Sequence, residues 1–221
     1  TTRTPMFSVL AAEPGTTNLS IRLPDGSLVT KSLTQGQAYS HGGTGLYGAE
    51  ISSSKKVVVS GSHPCANFNG GACDHVTEFL TPTSTWGREY LLASSPNTLR
   101  NDDYVIVASE PNTTIQINGV AQTISVPANE VRFRQTQTAP FVDIVTADKP
   151  ISIMQEISNG SFSNGTQTVT GDPALLSATP TPQFLNDVIV ATAGTQFAVN
   201  FVQVIAATSD VNGGLDRKSV V

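Results

Sequence analysis

The stretch Thr17-Asn18-Leu19-Ser20-Ile21-Arg22-Leu23-Pro24-Asp25-Gly26 decides the fold class. Leu19, Ile21 and Leu23 fall at every second position, as they would on a strand with one face buried. Asp25-Gly26 then tolerates the positive φ angles of a tight hairpin turn. The arrangement returns in Thr113-Thr114-Ile115-Gln116-Ile117-Asn118-Gly119. Each stretch reads as the first arm and turn of a β-hairpin.

Outward from these turns the correspondence continues. Leu33-Thr34-Gln35-Gly36-Gln37 pairs with Val126-Pro127-Ala128-Asn129-Glu130, and Ile51-Ser52-Ser53-Ser54-Lys55-Lys56-Val57 with Val145-Thr146-Ala147-Asp148-Lys149-Pro150-Ile151. Thr81-Pro82-Thr83 pairs with Thr179-Pro180-Thr181, and Leu91-Leu92-Ala93-Ser94 with Ile189-Val190-Ala191-Thr192. The offsets run in order from roughly 93 to roughly 98 residues and drift where loops can absorb insertions, which points to duplication. Copies are expected over 16–108 and 109–206 of one binding region, 1–221, with the extra residues of the second in a loop at 159–165. Trp86 and Phe184 fall on each other and read as equivalent core plugs.

Other β-rich runs lie at 57–59, 104–107, 141–145, 151–154 and 199–204, and no window sustains a 3.6-residue apolar stripe. The expected fold is all-β. It has two tandem copies of a roughly 95-residue multi-stranded antiparallel unit, sandwich- or propeller-like, with no long helix.

Hydrophobic residues make up 38% of the chain and charged residues 13%, a balance that argues against disorder. Net charge is −5 and the bases are scattered, so no basic stripe offers itself to nucleic acid. No apolar run approaches the roughly 20 residues that span a bilayer. The chain begins at Thr1 with no signal peptide and reads as a mature fragment of something longer.

The densest chemistry is Ser62-His63-Pro64-Cys65-Ala66-Asn67-Phe68-Asn69-Gly70-Gly71-Ala72-Cys73-Asp74-His75, which holds both cysteines and two of the three histidines. A Cys65–Cys73 disulfide would staple an excursion between strands and suits an exported chain with an even cysteine count. It would add about 2–3 kcal/mol by the loop-entropy model. The alternative is zinc, since His63-x-Cys65 and Cys73-x-His75 offer two nitrogens and two sulfurs. The spacing favours the disulfide, because paired zinc cysteines usually sit two to four residues apart. The second copy has no cysteines.

Three strings carry a resemblance. Cys73-Asp74-His75-Val76-Thr77-Glu78-Phe79-Leu80-Thr81-Pro82-Thr83-Ser84-Thr85-Trp86-Gly87-Arg88-Glu89-Tyr90 is similar to the domain near the N-terminus of the IgG-Fc-binding protein family, which has bacterial extracellular members. So are Val105-Ile106-Val107-Ala108-Ser109-Glu110-Pro111-Asn112-Thr113-Thr114-Ile115 and Thr146-Ala147-Asp148-Lys149-Pro150-Ile151. The resemblance covers roughly residues 51–204. It implies a binding and matrix protein without established catalytic residues, and Fc binding in some members.

Enzyme readings find little support. His41-Gly42-Gly43 faintly resembles an oxyanion loop but has no Gly-x-Ser-x-Gly elbow beside it. Asp102-Asp103 would point to opposite faces of a strand. Asp210-x-Asn212-x-Gly214-x-Asp216 alternates oxygen ligands like the start of a calcium loop but lacks the distal Glu, and Asp, Asn and Gly also simply make turns. No cofactor is expected, with weak support for calcium from this partial pattern. Asn18, Asn112, Asn159 and Asn164 begin glycan-acceptor tripeptides, relevant if the source is eukaryotic.

The expected function is an extracellular, cell-surface adhesion or recognition module. Its ligand would be a glycan or glycoprotein on another surface, with the tip of a bacterial fibre as a setting. The alternatives are a structural spacer without a ligand, an Fc binder, and a metal-dependent hydrolase using His63 and His75. Contacts are expected from Asn67, Phe68 and Asn69 in the cysteine loop, with Phe68 exposed at its tip, and from Phe162 and Asn164 in the 158–172 excursion. A homo-oligomer within a longer fibre is the expected assembly, though no heptads argue for a trimer.

Overall fold

The computed structural model describes residues 4–68, 73–96, 102–124, 133–136, 141–163, 166, 168–185, 187–190 and 200–205, with the backbone alone at 122–124, 133–136 and 162–163. The described chain is all-β, and its only helical pieces are two 3-10 turns, Thr83–Thr85 and Thr181–Gln183.

Alternating apolar residues build the first half. Its strands are β1 (Met6–Ala11), β2 (Thr16–Arg22), β3 (Leu28–Thr34), β4 (Ala38–Gly42), β5 (Glu50–Ser53), β6 (Val57–Ala66) and β7 (Asp74–Phe79). They form two antiparallel sheets, β4-β1-β6-β7 and β3-β2-β5. Phe7, Val9 and Ala11 from β1 meet Leu19, Ile21 and Leu33 from the other sheet in one core. The first half is therefore a sandwich.

The second half contains β9 (Asp103–Ala108), β10 (Thr113–Ile117), β11 (Val120–Ile124), β12 (Phe133–Thr136), β13 (Val142–Ile157) and β16 (Ala174–Ser177). A bulge between Thr146 and Ile151 divides β13. Its first part pairs with β10 and with β8 (Gly87–Ala93), and its second part with β9 and β16. Tyr90, Leu92, Tyr104, Ile106, Ile115, Val145, Ile151 and Ile153 fill the core between. A separate hairpin joins β14 (Gly160–Ser163) to β15 (Thr168–Gly171).

Both expected hairpins form. Gly26 has φ 84°, while Asn118 and Gly119 have 52° and 80°. They turn β2 into β3 and β10 into β11. Pairings and contacts recur between the halves. Ile21 lies opposite Ile51, and Ile117 opposite Val145. Val9 lies opposite Val59, and Ile106 opposite Ile153. Lys55 Nζ donates to the Pro14 carbonyl at 2.6 Å, and Lys149 Nζ to the Pro111 carbonyl at 2.7 Å.

Four expectations differ from the structure. The runs at 141–145 and 151–154 are parts of one strand, β13, because Ala147-Asp148-Lys149-Pro150 bulges rather than turns back. The loop expected at 159–165 begins with strand β14, since it finds a partner in β15. The strand expected at 199–204 is absent over 200–205, where Phe201, Val202 and Val204 stay exposed. Trp86 and Phe184 are not core plugs. Each leaves a 3-10 turn at the edge of a sheet, Trp86 half-buried and Phe184 40% exposed, and the buried ring is Tyr90 four residues after Trp86.

Candidate functional site

The cysteine segment sits where β6 hands over to β7. The strands pair up to His63, slip out of register, and pair again at Ala66. Cys65 and Cys73 are disulfide-bonded across this slip, with Cα atoms 4.9 Å apart. His63 Nδ1 accepts from the Cys65 backbone N–H at 3.1 Å, and Asp74 Oδ1 accepts from the His75 N–H at 2.6 Å. A disulfide removes both thiolates that the zinc reading needs. Among the described residues no three His, Cys, Asp or Glu side chains gather as a metal site. Asp210, Asn212 and Asp216 lie outside the described residues.

The staple holds Asn67 and Phe68 at a cleft of about 450 Å³. Its walls include Phe7, Leu46, Tyr47, Ile51 and His63 from the first half and Val105, Val107, Met154 and Glu156 from the second. Trp86 also lines it, anchored by its Nε1–H to the Thr81 carbonyl at 3.1 Å. Asn67 is exposed, but Phe68 is only partly exposed. The ring is not a free tip, because it has an apolar wall to lie against. Within this largely apolar surface the polar groups are few. Tyr47 donates to the buried Glu156 carboxylate at 3.5 Å. Concave apolar surface with a few convergent polar groups is the usual form of a binding site.

The other expected contact residues are less informative. Phe162 belongs to β14, opposite Val169, with its side chain outside the described set. Asn69 and Asn164 are also outside it.

His41 is a strand residue in β4, stacked on Phe7 at 5.5 Å and bonded through Nδ1 to the Tyr39 hydroxyl at 3.1 Å. It sits in no oxyanion loop. Asp102 is buried and accepts from Ser95 N–H at 2.7 Å, Ser95 Oγ at 3.1 Å, Gln155 Nε2 at 3.2 Å and Ser158 N–H at 3.4 Å. It ties the chain after β8 to the start of β9 and the end of β13. The sequence gives no sign of this knot, because its members are far apart in the chain. Burial raises the Tyr90 phenol above its ordinary pKa, despite a hydrogen bond with the Gly87 backbone.

The strings behind the family resemblance are stitched together. Thr114 N–H donates to Asp148 Oδ1 at 2.9 Å, Lys149 Nζ to the Asn112 carbonyl at 3.1 Å, and Ser109 Oγ to the Pro150 carbonyl at 2.9 Å. The Ser-Glu-Pro-Asn-Thr-Thr and Asp-Lys-Pro segments therefore carry structural work at one corner of the second half.

Comparison with known proteins agrees with the resemblance. The family model described as IgGFc binding protein matches residues 1–220. The human IgGFc-binding protein is 37% identical over 65 residues, which is 29% of this chain and 1% of that protein's own length. No solved structure matches.

Proposed function

The chain belongs to the IgGFc-binding protein family, and from that premise we propose that it is an extracellular, cell-surface recognition module whose ligand is a protein or glycoprotein on another surface. The observation that carries this reading is the apolar cleft with the disulfide-held Asn67 and Phe68 in its wall. A staple there limits the conformations that must be ordered on binding, which lowers the entropic cost of recognition. The β14–β15 hairpin, with Phe162, is the second contact region, and Asn164 follows Phe162 in the sequence.

The test is a binding array carrying diverse glycans, whole IgG and its Fc fragment, probed with labelled domain. The printed name of the human relative makes Fc the first protein to include. Binding by the wild type that falls at least about tenfold in Phe68→Ala or Asn67→Ala, with melting unchanged, supports the cleft. Silence from a folded, oxidised sample favours a spacer.

The spacer reading has its own support in the recurrence of contacts between the halves, since repeated units build stalks. We read that recurrence as two copies of one unit. In that reading β1 corresponds to β9, and the boundary is proposed before Asp103 rather than after Ala108.

A further inference from the structure

The two halves differ at one sheet edge. The second half is one seven-stranded sheet that shares β13, so that the first part of β13 belongs to a run of four, β11-β10-β13-β8, and its second part to another, β12-β9-β13-β16. In the first half the sheet β3-β2-β5 has three, and β5 ends it with no further strand among the described residues. The vacant place is the one that β8 fills in the second half.

What β8 does there is visible in burial. It lies along 142–146 of β13, with Tyr90 opposite Val145 and Leu91 opposite Ile144. Tyr90 and Leu92 point into the core, and Val145, Ile151 and Ile153 beneath them are wholly enclosed. The matching residues of the first half, Ile51, Val57 and Val59, are only partly buried. The cleft opens on this side, walled by Gly48, Ala49 and Ile51.

A stretch of strand-like composition follows the second 3-10 turn. Thr181–Gln183 repeats the geometry of Thr83–Thr85, from an extended proline before it to an extended aromatic residue after it. Trp86 leads into β8. Phe184 leads instead into a segment whose described residues belong to no strand, and in which Val188, Ile189 and Val190 are 65%, 100% and 54% exposed. Three consecutive exposed β-branched residues have the composition of a strand but no sheet to join.

We propose that residues 187–190 are a donor strand for the β5 edge of a second copy of this chain, so that copies join head to tail. The precedent is in the molecule. β8 arises at the end of the first half and completes the sandwich that follows it, so the strand is passed forward along the chain. A heterologous contact of this kind builds linear assemblies. Superposing the β8–β13 register places Val188 opposite Ile51, Ile189 opposite Glu50 and Val190 opposite Ala49. Val188 and Val190 then point into the vacant core and Ile189 points out. The strand fills the Ala49–Ile51 end of the cleft, and the inference is independent of any ligand held at the His63–Phe68 end.

The test is a cross-link. Glu50→Cys and Ile189→Cys proteins, mixed and oxidised, should give a covalent dimer that neither gives alone. Asp187→Cys in place of Ile189→Cys, two residues out of register, should lower the yield about tenfold. In sedimentation across a concentration series the unmodified chain should self-associate. Val188→Asp/Val190→Asp should weaken that association roughly 100-fold or more without changing the monomer's melting, because both residues are exposed in the monomer. A chain that stays monomeric at every concentration and gives no cross-link overturns the proposal. So does an intramolecular cross-link in the Glu50→Cys/Ile189→Cys double variant at high dilution, which would mean that the strand closes on its own chain.

Discussion

At the scale of single residues, Tyr90 concentrates the energetics of the second half. Its hydroxyl donates to the Ile151 carbonyl at 2.6 Å and accepts from the Gly87 N–H at 3.1 Å. Tyr90→Phe keeps the packing and removes both bonds, and should cost about 1–2 kcal/mol in denaturant unfolding. Burial raises the phenol's pKa, so the folded state favours the neutral form. That contribution is complete below the ordinary tyrosine value and is lost as pH rises through the folded one. The melting temperature should therefore drop at alkaline pH less steeply in Tyr90→Phe than in the wild type. An identical alkaline slope in both would count against it. The importance of Tyr90 was hidden in the sequence, where Gly87-Arg88-Glu89-Tyr90 reads as polar. Asp25-Gly26 and Asn118-Gly119 were legible, because a positive φ is a property of the dipeptide itself.

At the scale of elements, what the sequence showed depended on how local the cause was. The cysteine staple could be read because its closing residues are 8 apart. The bulge of β13 could not, since Ala147-Asp148-Lys149-Pro150 has the composition of a turn and only β8, β9 and β10 hold it extended. The Trp-Gly pair in the resemblance string also has a non-local cause. A methyl group on Gly87 would overlap the ring of Pro180, so the second 3-10 turn rests directly on the start of β8. Gln183 Nε2 adds a bond to the Thr85 carbonyl at 2.6 Å. Gly87→Ala must push that turn away, and should cost about 1–3 kcal/mol while changing the emission of the adjacent Trp86. Unchanged melting and emission would show that the two elements do not bear on each other.

At the scale of the whole molecule, β8 makes the second sandwich dependent on chain that precedes it. The sequence correspondence hinted at this, because Leu91-Leu92-Ala93-Ser94 matched a segment near the other end, but strand pairing between halves has no signature in a linear pattern. Tyr90 and Leu92 are both 2% exposed, and losing two such side chains removes about 1.5–3 kcal/mol each. Domains of this size have a net stability of only about 5–15 kcal/mol. A fragment beginning at Asp102 should therefore lack fixed packing, with weak near-ultraviolet circular dichroism and broad unfolding. One beginning at Thr81, which keeps β8, should unfold cooperatively. A synthetic peptide spanning Gly87–Ala93, added to the shorter fragment, should restore the sharp transition, because it replaces the missing strand and the ring over Val145 and Ile151. If the shorter fragment unfolds as sharply as the longer one, β8 is an ornament on a self-sufficient sandwich. The vacant edge at β5 would then need no strand either.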